Sequence, residues 1–183
     1  STFQGEAVRK KIERLVDILK EYQINPSHAS STKMYIVPFE KIQHNIIMKV
    51  PARIRMLIYR RFMMKILNKI ALNENAKAII TGDNLGQVAS QTLENIHCIH
   101  SASRLPVLSP LIGMNKEEII EIAKKIGTYE TSIIHGEDCC SFMIAKNPET
   151  HGRLSEIEKA EAKIEDADKL VEEAVKNAEV MEF

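Results

Sequence analysis

Long apolar runs are missing from this chain. No stretch of about 18 apolar residues occurs among its 183 residues, so no helical membrane span is expected. Residues 1–6 (Ser-Thr-Phe-Gln-Gly-Glu) have neither a basic lead nor an apolar core, so they do not read as a secretory signal. Cysteine is scarce: three residues cannot make a disulfide scaffold, and an odd count without a secretion signal fits a reducing cytoplasm. Aromatics are only 5% of the chain and tryptophan is absent. The most basic helix expected from the sequence holds just Tyr59 and Phe62, so a base-stacking surface is not indicated. No internal repeat and no low-complexity segment interrupts the chain, and its length suits one domain with a small appendage.

What is present is unevenly distributed charge. The net charge is zero. Residues 1–71 nevertheless carry 14 Lys/Arg against 5 Asp/Glu, and residues 151–183 carry 5 against 10. Such asymmetry permits a polyanion partner on one face, and two solvated helix surfaces account for it equally well.

Periodicity sets the expected organisation. Val8, Ile12, Leu15, Val16 and Leu19 recur at helical spacing within residues 6–22. Residues 33–39 predict a buried strand and residues 40–50 a helix stopping near Pro51. A long helix with a basic stripe is expected over 53–72, a short strand over 76–80 ending in the Thr81-Gly82 turn, and a helix over 84–99. Residues 104–110 read as extended. Asn115 is expected to cap a helix over 116–126, with Glu117 and Glu118 in its first turn and Gly127 ending it. Residues 128–148 read as irregular, and 155–180 as one or two acidic helices. Strands alternating with helices imply a parallel sheet covered on both faces, with ligands held beyond the carboxyl ends of the strands. The domain is expected to occupy residues 1–150, with residues 151–183 as its acidic helical tail.

Three constellations could carry chemistry. In the first, residues 81–96, a glycine directly after a buried strand lets backbone turn sharply or approach a ligand closely. Small and amide residues crowd the same stretch: Gly86, Gln87, Ser90, Gln91 and Asn95. Asp83 or Asn84 also reads as an ordinary helix cap. The second is Glu137-Asp138-Cys139-Cys140, where a loop thiol could accept and pass on sulfur. An inert loop cysteine is the other reading, and two adjacent cysteines have no usable spacing for a metal site. Cys98 reads as core. The third is the basic helix with Arg53, Arg55, Arg60, Arg61, Lys65 and Lys69, whose guanidinium forks suit phosphate and whose face could equally be solvated.

Taken in order, several segments resemble the tRNA 4-thiouridine sulfurtransferase family (ThiI), which is also tied to thiazole formation in thiamine synthesis. They are residues 59–63 (Tyr-Arg-Arg-Phe-Met), 81–96, 105–114, 115–120, 126–130 and 137–140. The Thr-Gly-x-x-Leu-Gly-Gln-x-x-Ser-Gln-Thr-Leu pattern is specific rather than a generic nucleotide motif.

The resemblance implies a Rossmann-like parallel sheet of the adenine nucleotide alpha-hydrolase type, with helices on both faces and its amino-terminal strand missing. It implies ATP, carried with Mg, as the activating substrate and tRNA as the acceptor. Persulfide sulfur would come from a cysteine desulfurase-type donor. By position it assigns nucleotide contacts to Arg60, Gly82 and Gln91, sulfur handling to Cys139 and tRNA activation or holding to Lys116. No metal ligands are implied. The family's Ser-Gly-Gly-x-Asp-Ser pyrophosphate loop has no counterpart here, so this chain alone is expected to bind ATP weakly and turn over little. Two alternatives stand beside this reading. One is another pyrophosphatase-type ligase of the same fold. The other is a non-catalytic scaffold, with the long helix of Met56, Met63 and Met64 as a homodimer interface.

Overall fold

A computed structural model describes residues 6–22, 32–134, 145 and 147–183. In chain order the elements are α1 (Glu6–Leu19), β1 (Lys33–Ile36), α2 (Glu40–Lys49), α3 (Arg55–Asn73), β2 (Ile79–Ile80), α4 (Leu93–His100) and β3 (Val107–Leu108). Then follow α5 (Lys116–Lys125), α6 (Tyr129–Ser132), α7 (Leu154–Glu161), α8 (Ala167–Lys176) and β4 (Glu179–Glu182). Two compact units form. One gathers α1, β1, α5, α6 and β4, the other α2, α3, β2, α4, β3, α7 and α8. No helix among the described residues is long and apolar enough to cross a membrane.

The larger unit is organised on α3. This helix buries Leu57, Ile58, Tyr59, Phe62, Met64 and Ile66, so apolar residues cover most of its circumference, as expected of a helix surrounded by neighbours. Ile42 and Ile46 of α2, Ile96 and Ile99 of α4, Ile157 of α7 and Val171 of α8 complete the core. Phe39 meets Tyr59 edge to face, with ring centroids 6.2 Å apart. α2 ends where Val50 turns extended ahead of Pro51, because proline's ring disfavours helical geometry in the residue before it. β2 and β3 pair in parallel, Ile79 opposite Val107 and Ile80 opposite Leu108. They form the parallel component of the α/β fold expected from the sequence.

The smaller unit contains no fully buried apolar residue among its described residues. It is tied by polar contacts instead. β1 and β4 pair antiparallel from Lys33 opposite Glu182 to Ile36 opposite Glu179. The Arg9 guanidinium donates to Glu13 at 2.9 Å and to Glu179 at 3.0 Å. α5 begins with a capping box: Asn115 accepts from the Glu118 amide at 2.9 Å and Glu118 accepts from the Asn115 amide at 2.7 Å. Gly127, at φ +76°, closes the helix.

Several expectations fail. The strand expected buried over 33–39 covers only residues 33–36, and none of them is buried. Residues 129–132, expected irregular, form the short helix α6. Residues 84–88 are not helical and residues 89–91 make only a single 3-10 turn; Gly86 takes φ +76° and its amide donates to the Gln91 carbonyl at 3.0 Å, folding the segment into a closed turn. The helix starts at Leu93, capped by the Thr92 hydroxyl, which accepts from the Asn95 amide at 3.2 Å. The acidic tail, in turn, ends in strand β4 rather than in helix.

Candidate functional site

The carboxyl ends of β2 and β3 carry a polar cluster centred on a buried carboxylate. Thr81 extends the ladder, its amide donating to the Leu108 carbonyl at 2.9 Å. Two residues on, Asp83 is 2% exposed and lies at the centre of the cluster. Its Oδ1 accepts from Arg60 Nη2 of α3. Its Oδ2 accepts from Thr81 Oγ1 at 2.9 Å and meets His100 Nε2 of α4 at 3.0 Å. A carboxylate only accepts, so His100 carries its proton on Nε2 here. Because Thr81 gives its hydroxyl proton to Asp83, Ser109 must be the donor in the 2.9 Å contact between the two hydroxyls. Burial pushes the Asp83 carboxyl upward, but hydrogen bonds from His100 and Arg60 outweigh it and hold the group below the ordinary carboxylate range. Asp83 thus anchors this cluster and is not the helix cap that its position suggested.

Gly82 lies between Thr81 and Asp83, and a Cβ built on it meets nothing within 4 Å. The backbone there is open to close approach. Arg60 and Gly82, expected to serve one ligand, thus meet through Asp83. Gln91 ends the closed turn that starts at Gly86, and its Oε1 is buried without a hydrogen-bond partner among the described residues.

A second polar centre supports this turn. Asn95 is fully buried, yet each polar atom of its side chain is engaged. Nδ2 donates to the carbonyls of Ala89 and Glu149, both at 2.8 Å, and Oδ1 accepts from the Gly152 amide at 2.9 Å. Thr92 Oγ1 donates to the Thr150 carbonyl at 2.7 Å. The start of α4 therefore fastens residues 149–152 beside the turn that ends in Gln91. Gly152 fits because it lacks a side chain: a Cβ would lie 2.8 Å from Asn95 Oδ1 and 2.9 Å from Leu57 Cδ1. In the sequence Asn95 is one of several amides in its stretch, and nothing local marks Gly152.

The basic stripe of α3 and its lead-in is committed internally. Arg53 pairs with Glu149 at 2.9 Å, Arg55 donates to the Val50 and Ile47 carbonyls at 2.8 Å, and Arg60 binds Asp83. Arg61 and Lys65 both bind Glu161 of α7, and Lys69 meets Glu172 of α8 at 3.1 Å. Burial raises the Glu161 pKa, but the hydrogen bonds from Arg61 and Lys65 more than reverse this and lower it. The acidic tail thus neutralises much of the basic helix. Cys98 is buried as expected, 3.3 Å from the Gly152 carbonyl, and burial pushes its thiol pKa up. Lys116 is exposed as the first residue of α5 in the smaller unit, where the helix dipole disfavours a cation and Glu117 and Glu118 offset it. Cys139 and Cys140 lie outside the described residues. Among the described residues no group of three or more His, Cys, Asp or Glu side chains is placed to hold a metal ion.

Parallel strands ending in a half-buried arginine and histidine around a buried aspartate, beside an open glycine and an amide-lined turn, give an α/β unit with a polar cluster at its strand ends, the place where open α/β sheets hold ligands. Comparison with known proteins narrows this class. The model of the family described as thiamine biosynthesis protein (ThiI) matches residues 1–165. A probable tRNA sulfurtransferase of Thermus thermophilus is 42% identical over 177 residues, covering 97% of this chain and 42% of that protein. One from Clostridium kluyveri is 44% identical over 179 residues, covering 98% and 45%. In three dimensions the chain is similar to a 4-thiouridine synthetase solved as a complex with RNA and bound ATP. That likeness has a TM-score of 0.89 at 39% identity, over 98% of this chain and 45% of that one. The chain belongs to the ThiI family, and it spans less than half the length of these relatives.

Proposed function

We propose that the protein containing this chain is an ATP-dependent tRNA uracil 4-sulfurtransferase, also serving thiamine thiazole formation. The observation that carries the reading is the likeness, over 98% of the chain, to a 4-thiouridine synthetase with RNA and ATP bound. In the proposed reaction a tRNA uridine carbonyl oxygen is adenylated with loss of pyrophosphate; the terminal sulfur of a cysteine persulfide displaces AMP, and a second thiol then cleaves the S–S bond, releasing 4-thiouridine and leaving a disulfide.

The larger unit's chemistry suits the nucleotide. Arg60 supplies a fixed cation for phosphate, and a guanidinium has N–H donors beyond the one that Asp83 takes. Gly82 lets the ligand approach the main chain. Gln91 Oε1, a buried acceptor in need of a donor, matches an exocyclic amine on a base edge. Mg enters with the nucleotide phosphates. In the smaller unit, exposed Lys116 serves tRNA. Cys139 takes the sulfur from a desulfurase-type donor protein in the cytoplasm, and the assembly is a homodimer.

The test is to incubate the full-length protein with ATP, a persulfide source and unmodified tRNA, reading 4-thiouridine by its near-ultraviolet absorbance. Thiouridine that forms with the intact protein and disappears with Cys139→Ser supports the reading. ATP consumption without thiouridine overturns the substrate. Activity that survives Cys139→Ser but not Cys140→Ser overturns the assignment of Cys139.

A further inference from the structure

Four elements converge on one carboxylate. α3 brings Arg60, the end of β2 brings Thr81, the end of α4 brings His100, and Ser109 after β3 reaches the carboxylate through Thr81. Asp83 is nearly fully buried, so it cannot itself offer charge to a ligand in the way an exposed group would. Buried carboxylates are expensive unless paired and hydrogen-bonded, and this one is both. Its contacts tie the guanidinium of Arg60 to the residue that directly follows Gly82, so the cation and the open glycine are linked through one side chain.

We infer that Asp83 is a positioning residue for nucleotide binding, locking Arg60 and the Thr81–Gly82 backbone into the arrangement that receives phosphate, with His100 and Thr81 holding Asp83 in turn. The inference rests on the proposed nucleotide role of Arg60 and Gly82. Without Asp83 the arginine keeps its charge but samples many rotamers, and fixing a long side chain on binding then weakens the complex. Loss of Asp83 should therefore act through Arg60 and not beside it.

That dependence makes the test a double-mutant cycle on the full-length protein, with the dissociation constant for ATP measured by calorimetry. Wild-type binding together with weakening by Arg60→Gln establishes the parent reading; absence of either sinks that reading by itself. With the parent reading in place, Asp83→Asn should weaken ATP at least tenfold while leaving tRNA affinity unchanged. In the Arg60→Gln background the same change should weaken ATP less than twofold further. Equal, additive losses in both backgrounds, or no loss in either, overturn the positioning role. Should Asp83→Asn fail to fold, Thr81→Val takes its place, since it removes one hydroxyl donor and keeps the shape. It should weaken ATP at least threefold with Arg60 present and have no effect without it. An unchanged affinity in that variant also overturns the proposal.

Discussion

Substituting Gly152 by alanine asks whether the fastening of residues 149–152 to α4 is as tight as its geometry indicates. The added Cβ would sit 2.8 Å from Asn95 Oδ1 and 2.9 Å from Leu57 Cδ1, with the Cys98 sulfur at 3.6 Å. None of these neighbours has room to retreat: Asn95 is fully buried with its amide bonded at three points, and Leu57 is 1% exposed in the core. Overpacking of this kind costs about 1–3 kcal/mol. Displacing Asn95 Oδ1 also weakens its bond from the Gly152 amide, worth roughly 1 kcal/mol net. The expected loss is about 3 kcal/mol, which for a chain of this size lowers Tm by roughly 6–12 °C. Thermal unfolding of the 183-residue chain by circular dichroism reads it directly. Gly113→Ala is the control, because its Cβ meets nothing within 4 Å, and it should stay within about 0.5 kcal/mol of wild type. A Gly152→Ala chain melting within about 2 °C of wild type would refute the reasoning.

Glu161→Gln removes the carboxylate that Arg61 and Lys65 share, leaving the Arg61 charge buried. It should cost about 3–5 kcal/mol and be visible as a lowered urea midpoint. Because Glu161 and Asp83 both have lowered pKa values in the folded chain, the stability they give is present above the ordinary carboxylate range, near pH 5. It fades as pH falls through their folded values. Wild-type Tm measured from pH 7 downward should therefore drop below about pH 5, and less steeply in Glu161→Gln. Gly86→Ala forces a side chain onto φ +76° and should cost about 1 kcal/mol in the same melts, together with weaker ATP binding through the Gln91 turn. Gly82→Ala should leave Tm within about 2 °C, since its Cβ has open space, while weakening ATP roughly tenfold or more; unchanged affinity would remove Gly82 from the site.

Legibility in the sequence followed distance along the chain. The Asn115 cap and the Gly127 stop depend on partners within five residues, and both were readable. So was the strand ending at Thr81, because a short apolar run met a glycine. The helix expected from residue 84 failed because small amide residues fit a helix surface as well as a closed turn, and the positive φ of Gly86 decides between them. β4 escaped because its partner β1 lies about 150 residues earlier. In the site, Arg60, Gly82 and Gln91 stood out through a family pattern, and the structure brings the first two together. What joins them was hidden. Asp83 meets His100 across 17 residues, and Arg61 meets Glu161 across 100, separations at which no periodicity speaks.

The internal pairing of the α3 cations has a consequence for ionic strength. Each phosphate that a protein cation neutralises releases condensed counterions and steepens the fall of affinity with salt, by roughly 0.7 in log–log slope per contact on single strands. Arg53, Arg61, Lys65 and Lys69 already neutralise Glu149, Glu161 and Glu172, so they have little left with which to displace counterions from a nucleic acid. An RNA held by this protein should therefore show a salt dependence shallower than the count of basic residues in its first third implies. Raising salt should instead weaken the exposed Lys69–Glu172 pair and leave the buried Arg61–Glu161 pair nearly unchanged.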